Sequence, residues 1–131
     1  MEQLLTPRAA LLLAAITISA VDGDLDVHEV AIINRLDGFS TSVDWEFAIG
    51  VWNDTPMDDC VILVAKSLNE RQQRICFANL VDIAFADGSL HESENMLLRA
   101  YAAEFHADDL EVEKIVDVIT LKNDKAGFFD S

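Results

Sequence analysis

Apolar positions along this chain recur at the three- and four-residue spacing of a helix face, and no window alternates apolar and polar residues over a strand length. Thr6-Pro7 sets an N-cap before a proline at the first helical position, which predicts a first helix from there to about Val21. Asp22-Gly23 ends it with a residue suited to positive φ. Asp26, three before Glu29, starts a second helix over about 27–37 that puts Val30, Ile33 and Leu36 on one face, and Asp37-Gly38 closes it. Ser42 opens a third, in which Trp45, Ala48, Ile49 and Trp52 form a core stripe.

Thr55-Pro56 repeats the N-cap-plus-proline signal and predicts a fourth helix to about Leu68. Asn69 caps a long fifth helix that ends at Asp87-Gly88. A sixth runs from about Glu92 to Phe105 with Leu97, Leu98 and Tyr101 apolar. Asp108 with Glu111 reads as a capping box for a seventh, whose apolar residues are Ile115, Val118, Ile119 and Leu121. Residues 123–131 read as a tail, in which Phe128 and Phe129 are apolar enough to dock back. The expected fold is therefore all-α: one domain over 1–131, a seven-helix bundle.

The pattern also repeats. "VDGDLDVHE" (21–29) and "ADGSLHESE" (86–94) share Asp-Gly-x-Leu-x-x-x-Glu at a separation of 65 residues. Helices one and two thus resemble helices five and six, and residues 7–37 are expected to superpose on 70–105 in a monomeric fold. Leu25 and Leu90 should lie buried beneath their turns.

Composition sharpens this picture in three places. The chain holds 24 acidic against 9 basic residues, a net charge of −15, which disfavours nucleic acid and anionic lipid and favours cations or a basic protein partner. Seven of those acids fall in the sixteen positions 22–29 and 87–94, where no Lys or Arg occurs, so the charge is concentrated at the repeated motif. The two cysteines, Cys60 and Cys76, sit in apolar runs without CxxC spacing and read as core thiols of a reducing cytosol. Residues 9–21 carry no charge and could pass for a signal-peptide core, but Glu2 and a single Arg8 make a poor basic lead-in. Thirteen residues are also too few to span a bilayer. The structural twin in the second half favours a buried helix of a cytoplasmic protein, with no direct membrane insertion.

The chemistry of the motif is half of a calcium loop. With Gly23 at the glycine position, Asp22, Asp26 and Glu29 fall on ligand positions and Leu25 on the apolar one, while Ile18 and Ala20 occupy the entering positions. The second copy places Ile83 and Phe85 there, with His91 opposite Asp26. Neither copy is an EF-hand by itself. A plain helix joint accounts for much of the pattern, since Asp and Glu favour the first helical turn and Glu at the third position caps the backbone. Yet neither Asp22 nor Asp87 is needed for a cap. Hard cations want six or more oxygens, which two half-loops brought together can supply. The candidate metal ligands are Asp22, Glu29, Asp87 and Glu94, with Asp24 and Asp26 as additional ones. Calcium is the first choice, with magnesium and manganese after it. Whether the two turns meet in space is left open by the sequence.

The pair "ISAVDGDLDVHEVAIINRL" and "IAFADGSLHESENMLLRAYA" in an all-helical chain resembles the TerB-like domains named for tellurite resistance, relatives of which stand at the N-terminus of membrane-anchored DnaJ-type co-chaperones. The resemblance spans roughly residues 8–121. It implies a seven-helix bundle, a proposed metal site built from Asp22, Glu29, Asp87 and Glu94, and a role in bacterial stress response. His91 stands where those domains have serine or an acid.

Other chemistry finds no footing. His28 and His91 occupy different positions of the repeat, no E-x-x-H motif occurs, and no glycine loop could cradle phosphate. Nothing orients a nucleophile, and His106 reads as a group near a helix end. Two readings stand: a cytoplasmic metal-binding or metal-sensing domain, or a non-catalytic protein-interaction adaptor whose Asp-Gly motifs are only helix joints. An enzyme is not expected.

Overall fold

The computed structural model of the chain describes residues 4–21, 43–85 and 91–122. The described residues are all-helical and contain no strand. Six helices follow in order: α1 (Pro7–Ala20), α2 (Val43–Asp54), α3 (Met57–Ser67), α4 (Glu70–Ala84), α5 (Glu92–Glu104) and α6 (Asp109–Lys122). The second helix expected over 27–37, the tail over 123–131, and both leucines expected under the turns, Leu25 and Leu90, lie outside the described residues.

Helix α1 starts where Thr6-Pro7 places it. The Thr6 hydroxyl accepts the Ala9 N–H at 3.1 Å, and proline fills a position whose missing donor costs nothing. The same hydroxyl donates to Asp44 at 2.9 Å and so ties the start of α1 to the start of α2. From there α1 runs through the middle of the bundle, with α2, α3, α4 and α5 all packed on it. Ten of its fourteen residues are buried. Its alanines let neighbouring backbones approach, while Leu12, Leu13, Ile16 and Ile18 fill the space between them. Each of these larger side chains contributes about 1.5–3 kcal/mol by burial. The charge-free run that could pass for a signal-peptide core is thus the centre of the core. No described helix is long and apolar enough to cross a membrane.

One polar contact crosses this core. The Thr17 hydroxyl donates to the Ala14 carbonyl at 2.6 Å, and its other neighbour is the Tyr101 hydroxyl, also at 2.6 Å. Thr17 has a single hydroxyl proton, so Tyr101 donates and Thr17 accepts. The bond fixes α1 against α5 at a fully buried point. Burial pushes the Tyr101 phenol well above its ordinary pKa.

Most local signals hold, and two need correction. Asn69 and Gln72 cap one another reciprocally at the start of α4, at 2.8 and 2.9 Å. Thr55, by contrast, is not the cap of α3. Pro56 has the right φ but an extended ψ of 152°, so it takes the flanking position itself and offers no side-chain cap. At α6, Asp108 accepts the Leu110 N–H at 3.0 Å, but Glu111 does not complete a capping box and pairs with Arg74 at 2.7 Å. On the same helix Val118 and Leu121, although apolar, face solvent.

Helix α6 buries no residue completely. Val112, Ile115, Val116 and Ile119 rest half-buried against the core, on the side that meets α4. Arg74 and Asp82 of α4 pair with Glu111 and Lys122 of α6 in that order, so the two helices run in the same direction. The turn before α6 closes α5 with a residue in the left-handed region. His106 has φ 52°, its N–H bonds the Ala103 carbonyl, and the Ala107 N–H bonds that of Ala102. This pairing satisfies two carbonyls that the helix end would otherwise leave bare. His106 does sit at a helix end, as expected.

Candidate functional site

The second Asp-Gly joint is bounded by described residues on both sides. Helix α4 ends at Ala84, and Phe85 closes it with its N–H on the Val81 carbonyl at 3.0 Å. Across the joint, His91 takes an extended backbone (φ −80°, ψ 155°) and α5 begins at Glu92. Glu94 is therefore the third residue of the helix. Its Oε1 accepts the His91 N–H at 3.2 Å, folding the carboxylate back over the first turn. That satisfies one backbone donor at the helix start and places negative charge where the helix dipole favours it.

What is unusual is the burial. A capping carboxylate normally stands at the surface, whereas Glu94 is 1% exposed. Carboxylates are almost never fully buried unless their charge is met inside the protein. Glu94 shares its side of α5 with Leu97 and Leu98, both buried, so the helix draws the acid inward along with its apolar face. The result is a carboxylate withdrawn from water, oriented by its own backbone, at the joint between α4 and α5.

The first joint follows α1, which ends at Ala20 with Val21 as its cap. Under the 65-residue shift the ends of α1 and α4 differ by a single residue. Of the six candidate ligands, Glu94 is placed by the structure, and Asp22, Asp24, Asp26, Glu29 and Asp87 lie outside the described residues. Among the described residues no three His, Cys, Asp or Glu side chains gather as a metal site.

One buried atom near the first joint escaped the sequence reading. The Ser19 hydroxyl, three residues before Asp22, is buried and has no hydrogen-bond partner among the described residues. A helical serine ordinarily gives its proton to a carbonyl one turn back, as Thr17 does, and an unmet buried hydroxyl costs about 1–3 kcal/mol. The available signal was slight: Thr17 and Ser19 are the hydroxyl residues in an otherwise apolar run.

The remaining reactive groups are quiet. Cys60 and Cys76 are free and buried, as core thiols should be. Burial, with the Asp59 carboxylate behind it, raises the Cys60 pKa. Burial alone pushes Cys76 up to about 12. Neither is a thiolate near neutral pH, so neither is an activated nucleophile. A small cavity of about 40 Å³ lies between α4 and α6, with Phe77, Phe105, Val112 and Ile115 as its apolar lining. Arg74 stands at its edge, already paired with Glu70 and Glu111. Compared with known proteins, the chain matches no family model, no curated protein and no solved structure.

Proposed function

We propose that this chain is a non-catalytic domain of the TerB-like type that binds or senses a divalent cation, in the cytoplasm, as part of a stress response. In this reading the fold is a seven-helix bundle with an internal helix–turn–helix repeat. Asp22, Glu29, Asp87 and Glu94 hold the cation between the two joints, with Asp24 and Asp26 beside them. The observation that carries it is Glu94: a carboxylate at the head of an exiting helix, withdrawn from water and fixed by the His91 N–H. All the candidate donors are carboxylate oxygens, which suits calcium first and magnesium or manganese next. A bound cation would supply positive charge among acids that otherwise repel one another.

The adaptor reading has observations of its own. Glu94 makes the bond that a plain helix joint requires, and α6 turns apolar residues to solvent. Thermal unfolding with and without metal separates the two. A cation that binds only the folded joints stabilises by about 2.7 kcal/mol at a hundred times its dissociation constant. Glu94→Gln should remove most of that gain whatever it does to the metal-free protein. If millimolar calcium, magnesium and manganese all shift the melting of the parent no more than ionic strength does, the joints are only joints.

A further inference from the structure

We propose that the outer face of α6 is a docking surface for a basic amphipathic helix of a partner protein. Leu110, Val118 and Leu121 are 57%, 64% and 76% exposed. At 100° per residue they share one side of the helix, opposite Val112, Ile115, Val116 and Ile119, which rest on the core. Helix α6 thus carries three apolar side chains beyond those that pack on its own domain, on a face that they share with Lys114. The outer stripe runs over twelve residues, a rise of about 16 Å at 1.5 Å per residue, with Leu110 at one end and Val118 and Leu121 at the other.

Charge selects the occupant. Asp109, Glu113 and Asp117 stand exposed along α6, with Lys114 as the cation among them. The other charged residues of the helix, Glu111 and Lys122, are engaged with Arg74 and Asp82. A second copy would bring another net charge of −15 against this surface, which opposes self-association. A helix with an apolar stripe flanked by Lys and Arg meets both features, and its encounter is steered by the field of the whole chain. The inference stands apart from the cation reading, because α6 carries none of the four proposed ligands.

The test uses a labelled synthetic helix with a leucine stripe and lysine flanks, and a control with the same stripe and glutamate flanks. Fluorescence anisotropy should show saturable one-to-one binding of the basic peptide, weakening as salt rises. Leu110→Gln alone and Val118→Gln with Leu121→Gln should each weaken binding by about tenfold or more, as expected for anchor residues. Melting should barely move, because these side chains are exposed. The proposal is overturned if the basic peptide does not saturate, if the acidic control binds as well, or if the glutamine variants bind like the parent. It is equally overturned if sedimentation finds a dimer that the glutamine variants dissolve, since the occupant would then be a second copy.

Discussion

Helices α1 and α4 are partners under the 65-residue shift, and both lead into an Asp-Gly joint, but the bundle uses them differently. Six positions of α4 are buried: Cys76, Phe77, Leu80, Val81, Ile83 and Ala84. Their counterparts on α1 run from Leu11 to Ser19 and form the same inner face. The difference lies on the other side. Where α4 carries Arg74, Ile75, Asn79 and Asp82, α1 carries Ala9, Ala10, Ala14 and Thr17, all buried under α2, α3 and α5. A repeated motif fixes where a helix ends. Which faces are covered depends on how many neighbours the chain places around it.

The largest break in this comparison should come from Leu13, on the side of α1 that α4 leaves partly open at its counterpart, Ala78. Leu13→Ala should cost about 2–5 kcal/mol in urea unfolding, as for a deep core truncation. Ile75→Ala, on the outer side of α4, should stay within about 0.5 kcal/mol. Equal losses would mean that α1 is no more central than α4.

Thr17 and Asp82 give a finer contrast, because they occupy one repeat position and make different bonds. Thr17→Val leaves the buried Tyr101 hydroxyl without its acceptor and should cost about 1–3 kcal/mol. Asp82→Asn breaks a pair whose Lys122 is largely exposed and should cost no more than about 1 kcal/mol. A double-mutant cycle of Thr17→Val with Tyr101→Phe should show strong coupling. Additive losses would contradict the direct bond.

Cys76 sharpens the comparison through pH, since it stands where α1 has Leu11. Below pH 9 the thiol is neutral in both folded and unfolded chains. Above it the unfolded thiol ionises, whereas the buried one holds its proton to about 12. Stability should therefore fall between those limits, by up to about 1.4 kcal/mol per pH unit for this group. Cys76→Ala should flatten that fall in thermal scans from pH 8 to 11, even if it lowers stability at neutral pH. An unchanged slope would show that Tyr101 and Cys60, which push in the same direction, account for the effect.

The sequence announced its helices well because the strongest signals are local. Thr6-Pro7 and the Asn69/Gln72 pair act within one turn, and the structure keeps both. Errors came where a side chain had a distant option. Glu111 had a capping role available nearby, but Arg74 on α4 drew it away. Val118 and Leu121 are apolar, yet they lie on the side of α6 turned away from α4 and face solvent. At the candidate site, spacing alone gave the helical position of Glu94. Its burial depends on how α5 is turned toward the core, which no local pattern states. The Thr17–Tyr101 bond joins residues 84 positions apart and was equally invisible.

The central claim is that the carboxylates of the two joints form one cation site. Calorimetric titration of the metal-free protein with calcium tests it most directly, in the parent, in Glu29→Gln and in Glu94→Gln. A shared site gives one ion per chain, lost when either glutamate is replaced. Two ions per chain, with one surviving each single substitution, or no saturable heat in the parent, would contradict it.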